Sequence, residues 1–196
     1  LDTSPVRPGA EAELVDAQIL PSGPSFDNDN NLKLFAAMIQ NARRRISVTS
    51  PYYVPDETIQ MALITAGSRG LDVELFVSEI GDQFMVFHAQ RSYYEQLLRA
   101  GVKIYLYRAP TILHAKHLSI DDDVAVIGSS NLDIRSLSLH MELSVLVQGA
   151  GFASAMRAVE DDYRAKSRQV MLADWVRRPR RERVFDNLMR LTSSLQ

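Results

Sequence analysis

His114 and Lys116 stand two residues apart at the start of HAKHLSIDDDVAVIGSSN, residues 114–131, a stretch that closes on Gly128, Ser129 and Asn131. A lysine ammonium beside hydroxyl and amide donors is a set that holds an anion such as a phosphodiester. A histidine in the same place can attack phosphorus or protonate a departing oxygen. No Asp-His-Glu cluster of metal-ligand spacing lies near, so the cationic role falls on lysine, and neither metal nor cofactor is expected. The chemistry that fits is metal-free phosphoryl transfer.

A hairpin would bring these groups together. HAKHLSI alternates in character, VAVIG is an apolar run, and Asp121-Asp122-Asp123 between them is turn chemistry. With a turn centred between Asp122 and Asp123, His114 faces Asn131 and Lys116 faces Ser129, all on one side of the sheet. A loop of odd length would turn the return strand over and scatter them. Asp121 lies seven residues from His114, roughly 20 Å along an extended strand, so it reads as turn or ion-pair support. Glu142, in HMELSV on a neighbouring strand, is the carboxylate suited to bond one ring nitrogen of His114 and fix its tautomer. His117 alternates to the opposite face and reads as packed or solvent-facing rather than catalytic, while His88 and His140 have no nameable partner. Tyr52 and Tyr53, in PYYVP, are candidates for a lipid entrance or for packing, and Arg135 for a phosphate contact or an ion pair.

The elements that must position this hairpin follow from periodicity. Residues 1–11 are polar and Pro-rich, a lead-in to a single domain over 12–196. AELVDAQIL reads as a strand closed by PSGPS. NDNNLKLFAAMIQNARRR reads as a helix, with Leu32, Phe35, Met38, Ile39 and Ala42 at helical spacing. ISVTS and DVELFVS are strands around a helix that Asp56 caps and whose inner face carries Ile59, Leu63 and Ala66. The helix before VKIYLY stops at Gly101. Three β-α-β passages in a row predict an α/β sandwich, with a mixed, mostly parallel central sheet flanked by helices. MELSVLVQG adds a strand after the hairpin. The last third reads as helical, with Phe152, Met156, Val159 and Tyr163 on one stripe and Val184, Leu188, Leu191 and Leu195 on another.

With 196 residues, 46% of them hydrophobic, the chain can build one substantial core. A net charge of −2 leaves no overall basic footprint for nucleic acid. Without cysteine there is neither disulfide nor thiolate metal site. No apolar run approaches the roughly 20 residues that span a bilayer, and none reads as a signal peptide. Leu1 in place of Met makes an excised piece of a longer chain the expectation. The one regional charge anomaly is Trp175 to Gln196, with six arginines against two acids, net +4. An arginine-rich helix with an apolar face suits an anionic membrane surface, whereas the plainer reading docks its leucine stripe on the core.

His114, Lys116, Asp121, Gly128, Ser129 and Asn131 match, without departure, the H-x-K, four residues, D, six residues, G-S-x-N signature of the phospholipase D superfamily. Glu142 sits where that family often places a carboxylate bonded to the histidine. SPYYVPDETIQMAL, RSYYEQLLRAGVKIYLY, SSNLDIRSLSLHMELSVLV and ADWVRRPRRERVFDNLMRL extend the resemblance, from about Ala12 onward, to the second half of bacterial cardiolipin synthases. The resemblance implies a phospholipase D-like sandwich and transphosphatidylation through a phosphohistidine, two phosphatidylglycerols giving cardiolipin and glycerol. It implies catalytic roles for His114, Lys116, Asp121 and Glu142, and phosphate binding by Lys116, Ser129 and Asn131. It also implies a peripheral place on the bacterial cytoplasmic membrane, with anionic phospholipid as partner.

In that family two motifs meet, the first supplying the nucleophile and the second, which this chain resembles, the acid and base. Here there is one motif, so the expected partner is an N-terminal half of its own enzyme or a homodimer mate. The alternatives are a homodimeric phosphodiesterase or nuclease of the same superfamily and a non-catalytic docking module.

Overall fold

The computed structural model describes residues 15–26, 29–81 and 83–191; the expected lead-in and Leu195 lie outside them. The chain first runs through β1 (Asp16–Ser22), α1 (Asn30–Asn41), β2 (Arg45–Thr49), β3 (Tyr53–Val54), α2 (Glu57–Ser68), β4 (Asp72–Ser78), α3 (Phe84–Arg99) and β5 (Lys103–Tyr107). It continues through β6 (His117–Ile120), β7 (Val124–Gly128), β8 (Leu132–Asp133), α4 (Ile134–Ser138), β9 (Glu142–Gln148), α5 (Ala150–Ala165), β10 (Ser167–Val170), α6 (Leu172–Val176) and α7 (Arg180–Arg190). Eight strands form one sheet in the order β1-β9-β7-β6-β2-β4-β5-β10, and β3 pairs with β8 separately.

The sheet is mixed, as expected, but its balance differs from the mostly parallel reading. Only β2–β4 and β4–β5 are parallel, while β1–β9, β9–β7, β7–β6, β6–β2 and β5–β10 are antiparallel. The β-α-β periodicity governs only the first half. After β5 one short loop makes the β6–β7 hairpin, and the other antiparallel pairs join strands distant in sequence.

Asp56 caps α2 by accepting the Thr58 N–H at 2.8 Å, and Gly101 ends the α3 turn at φ +91°. The two faces of the sheet differ in chemistry. Ile46, Val48, Leu75, Val77, Ile104, Leu118 and Ile120 join α1 to α3 in the main core, each contributing about 1.5–3 kcal/mol by leaving water. The alternating positions, Arg45, Thr49, Glu74, Phe76, Tyr105 and His117, face α5 instead. Its buried residues are Ala153 and Glu160, and Val159 of the expected apolar stripe is exposed. The inward side of α5 is turned by ion pairing: Arg45 binds Glu160 at 2.7 Å and Glu74 at 3.3 Å, and Arg164 binds Glu74 at 2.7 Å.

The last helix is also rotated from expectation. Asp186 is its buried residue, meeting His88, Arg91 and Arg178 at 2.8, 3.4 and 2.8 Å. Val184, Leu188 and Leu191 are 67%, 53% and 78% exposed. Among the described residues, no helix is long and apolar enough to cross a membrane.

Candidate active site

The β6–β7 hairpin carries the motif, in a register one residue away from the expected one. His117 pairs with Ile127 and Ile120 with Val124, so the loop is the odd-length Asp121–Asp123. Lys116 therefore faces Gly128, whose N–H donates to the Lys116 carbonyl at 3.3 Å. The reason is at Asp121, which adopts φ +52° and turns its carboxylate onto the N–H groups of Arg43, Arg44 and Arg45 at 3.1, 2.8 and 3.0 Å. Three backbone donors at the α1–β2 turn hold the first loop residue, and β7 starts accordingly. Burial raises the Asp121 pKa, but these hydrogen bonds and the Arg44 charge outweigh it and hold the carboxyl below its ordinary value. The catalytic role that the resemblance implies for Asp121 does not fit this placement, at the opposite end of β6 from the other motif residues.

The regular strand ends at His117, so alternation no longer decides where the preceding residues point. The Lys116 ammonium folds back, donating to the His114 carbonyl at 2.9 Å and lying 3.3 Å from His114 Nδ1. Nε2 lies 3.5 Å from the same ammonium, so the ring stands beside the lysine with both nitrogens close to it. His114 is exposed and Lys116 half-buried. Burial holds the Lys116 pKa below its ordinary value, outweighing the opposing pull of the nearby Glu142 and Asp133 carboxylates. Glu142 differs from its expected place: its Oε2 receives the Ser129 hydroxyl, and among the described residues it makes no bond to His114. Ser129 is locked to β9 from three sides, its N–H on the Leu143 carbonyl and its Oγ accepting the Leu143 N–H, both at 3.0 Å. Gly128 permits that approach, because a Cβ there would lie 2.6 Å from the Leu143 carbonyl oxygen and 2.7 Å from Ser144 Oγ.

Asn131 is not in the Lys116 cluster. It lines an adjoining hollow of about 120 Å³ with Tyr52, Gln83, Asp133, Arg135 and His140, and its Oδ1 is buried without a hydrogen-bond partner. Tyr53 is fully buried, donating its hydroxyl to Gln60 at 2.7 Å, so of the two loop tyrosines only Tyr52 borders the site. Several supports went unread in the sequence. Buried Asn31 donates to Ser130 Oγ at 2.5 Å, and Ser50 Oγ accepts the Leu132 N–H at 3.0 Å. Of the two places open to His117, the structure gives the packed one, with Nε2 3.1 Å from Thr49 Oγ1 and 3.5 Å from Glu160 Oε1. Burial raises the Glu160 pKa, yet the contacts with His117, Ser119 and Arg45 prevail and keep it below the usual range. A larger cavity of about 390 Å³ lies between α3, α6 and the β5–β10 edge. Its arginines are already paired, Arg168 with Glu79 and Arg91 and Arg178 with Asp186, so it offers a phosphate no free cation.

A family model described as cardiolipin synthase, PLD-like domain, matches residues 35–162. Cardiolipin synthase A of Proteus mirabilis is 35% identical over 190 residues, covering 97% of this chain and 39% of that protein. Cardiolipin synthase A of Serratia proteamaculans is 35% identical over 178 residues, covering 91% and 36%. The chain thus spans less than two fifths of the length of these curated relatives. Among solved structures, phosphatidylserine synthase of Haemophilus influenzae superposes with TM-score 0.74 at 14% identity, over 94% of this chain and 47% of that one. The phospholipase D family member Nuc of Salmonella typhimurium gives 0.68 at 19% identity, over 81% and 99%. At such identities the structures speak for the fold alone.

Proposed function

The chain belongs to the cardiolipin synthase PLD-like domain family, and on that premise we propose that it is one half of a phospholipid phosphatidyltransferase, joining two phosphatidylglycerols into cardiolipin with release of glycerol. The observation that carries this reading is the pairing of exposed His114 with Lys116 at 3.3 Å, with one histidine in the cluster rather than two. In-line displacement needs one group to attack phosphorus and another, on the far side, to protonate the leaving oxygen. A second histidine, from a complementary half, attacks; the phosphorus–oxygen bond to glycerol breaks, and His114, acting as the imidazolium, gives a ring proton to that oxygen and becomes neutral imidazole. The acceptor hydroxyl then passes its proton back to the same nitrogen as its oxygen attacks phosphorus and the phosphorus–nitrogen bond breaks. Both histidines return to their starting states. Lys116 holds the negative charge of the phosphoryl oxygens, with Asn131 at the neighbouring wall; Ser129, its hydroxyl given to Glu142 and its N–H to Leu143, fixes β7 against β9 instead.

Two surfaces support the reading. Ile127, Leu139, Met141 and Leu143 stand 37%, 56%, 60% and 52% exposed around the motif, an apolar rim suited to being covered by a second half. On α7, exposed Val184, Leu188 and Leu191 lie beside exposed Arg177, Arg180 and Arg181, a combination suited to peripheral contact with an anionic membrane.

A second reading, a phosphodiesterase or nuclease made of two copies of this chain, is favoured by one observation: the matched region covers 99% of Nuc, so this fold also occurs as a whole chain. The two separate in one assay on phosphatidylglycerol vesicles and plasmid DNA. The chain alone should be nearly inert on both. A complementary half carrying the first motif should produce cardiolipin, and His114→Ala should abolish it. Turnover of DNA that rises with chain concentration and tracks a dimer would replace the first reading with the second.

A further inference from the structure

We propose that the first turn of α3 and the outward side of α7 form one continuous surface that seats the domain on an anionic bilayer. Phe84 and Met85 enter among the lipid headgroups beside Val184, Leu188 and Leu191. The inference deepens the membrane contact read for α7 and rests on it. It adds a second element, fixes which face of the domain meets lipid, and has α7 bind lipid without leaving the protein.

The way α7 is docked carries the last point. An amphipathic helix on a globular domain ordinarily turns its apolar stripe inward. On α7 the ionic side is inward: buried Asp186 meets His88, Arg91 and Arg178, Glu182 meets Arg91 at 3.5 Å, and Arg183 meets Glu95 at 3.0 Å. The Arg190 guanidinium adds a contact 4.4 Å from the centre of the Tyr93 ring. Lifting the helix would strip a buried carboxylate of its cations, a costly step. The apolar side is therefore displayed outward by a helix that is locked in place. Helix residues follow one another at about 100°, so Val184, Leu188 and Leu191 lie within about 60°, roughly opposite Asp186, with Arg180 and Arg181 flanking them.

The stripe continues onto α3. Phe185, 37% exposed, meets Phe84 with ring centres 6.0 Å apart, and His88 packs edge-on against both at 4.8 and 4.7 Å. Phe84 is 64% and Met85 48% exposed, although Val86, Ala89 and Tyr93 of the same helix are buried. Charge names the occupant. From Trp175 to Leu191 six arginines stand against two acids, and both acids are turned to cations of the protein. Arg177, Arg180 and Arg181 are exposed, and among the described residues no ion pair engages them. Apolar side chains bordered by unpaired arginines match the boundary of headgroups and acyl chains, where such a face sinks about 5–10 Å. The rim read as the cover for a second half belongs to β7, β9 and the turn before β9, so the two surfaces use different elements. Gln83, one residue ahead of Phe84, borders the hollow beside Asn131. A bilayer that grips Phe84 thus sets the mouth of the site at headgroup height.

The chain has no cysteine, so one engineered thiol carries one polarity-sensitive fluorophore. Met85→Cys, Val184→Cys and, on the α5 side of the sheet, Val159→Cys are labelled and mixed with phosphatidylcholine vesicles with or without phosphatidylglycerol. With phosphatidylglycerol, the labels at 85 and 184 should both shift to the blue and be quenched by brominated acyl chains, and the label at 159 should do neither. Phe84→Ser in the unlabelled chain should melt as the parent does and partition about tenfold more weakly, the loss expected for most of a phenylalanine's apolar contact. Trp175, the one tryptophan, is 8% exposed with the Arg178 guanidinium 3.4 Å from its ring centre, so its emission reports the docking of α7 and should not move. Entry of the label at 184 with the label at 85 left in water, or unchanged partition of Phe84→Ser, would overturn the continuous surface and leave the α7 contact standing. Entry of neither would overturn the membrane contact as well. A red shift of Trp175 on binding would overturn the locked helix. A label at 85 that turns apolar as chain concentration rises without lipid would assign the face to a second copy and overturn the proposal.

Discussion

Removing the Asp121 carboxylate should destabilise the fold and leave phosphate binding at His114 and Lys116 intact. The carboxylate accepts three backbone N–H groups, from Arg43, Arg44 and Arg45. Hydrogen bonds to a charged acceptor contribute about 1.5–3 kcal/mol each when buried. Arg43 and Arg44 are exposed, so water replaces Asp121 there at little cost, and the half-buried Arg45 N–H carries most of the penalty. The three together amount to about 2 kcal/mol, or a melting temperature about 4–8 °C lower for a chain of this size. The backbone adds a second contribution. At φ +52° an alanine costs about 1–2 kcal/mol, a strain that asparagine tolerates and glycine avoids.

The order of stability should therefore be Asp121, Asn, Gly, Ala, read by urea denaturation and thermal melts. The pH dependence has a definite sign. The folded pKa is depressed, so the charge contribution is fully present above the unfolded carboxyl value near 3.9 and is lost as pH falls through the folded value. The gap between Asp121 and its Asn variant should be constant above about pH 5 and shrink on acidification below about pH 4. An Asp121→Ala chain that melts like the parent yet no longer binds phosphate at His114 would refute the assignment of Asp121 to the turn.

Two further outcomes are expected. Glu160→Ala should cost about 3 kcal/mol in urea denaturation, because Arg45, its side chain 14% exposed, loses its 2.7 Å partner and keeps only Glu74; an unchanged denaturation midpoint would show that the pair contributes nothing net. The chain should bind vesicles containing phosphatidylglycerol through α7, more weakly as salt shortens the screening length below about 10 Å and more weakly after Leu188→Glu and Leu191→Glu. Sedimentation with vesicles that is insensitive to salt, or absent, counts against the membrane contact.

Helices and strands of the first half are legible because their apolar spacing answers to one core. Ile59, Leu63 and Ala66 face inward as their period demands, and Asp56 caps where a side-chain acceptor is needed. Where the core-facing residue is charged, the same rule misleads. The inward positions of α5 and α7 are Glu160 and Asp186, the first held by Arg45 of β2 and the second by Arg91 of α3 and by Arg178 just ahead of the helix, and hydrophobic period alone turns both helices the wrong way. The sheet departs from a mostly parallel one because the β-α-β period stops at β5. The hairpin register was missed by one residue because loop length depends on Asp121 reaching the N–H groups of Arg43 to Arg45, a contact across more than 70 positions. Arg135 and His140 meet Asn131 through a turn of α4 that carries no period at all.

The spacing of the motif letters then has a mechanical explanation apart from chemistry. A strand has a side-chain period of two, so slipping the hairpin by one residue would exchange its buried and exposed faces. Asp121 fixes the loop against the α1–β2 turn, and that fixes Lys116 opposite Gly128 at the other end of β6. Gly128, with no room for a Cβ, lets β7 reach β9 closely enough for Ser129 to lock onto Leu143 and Glu142. The lysine and histidine just outside the regular strand are thereby held over a rigid edge, free to fold toward one another. An aspartate remote from the phosphate is therefore needed by the same hairpin that presents the histidine, and the two are linked through register rather than contact. Lengthening the Asp121–Asp123 loop by one residue should disorder the His114 and Ser129 signals together while the α2 and β4 core resonances stay in place. If His114 alone moved and Ser129 kept its bonds to β9, register would not be what couples them.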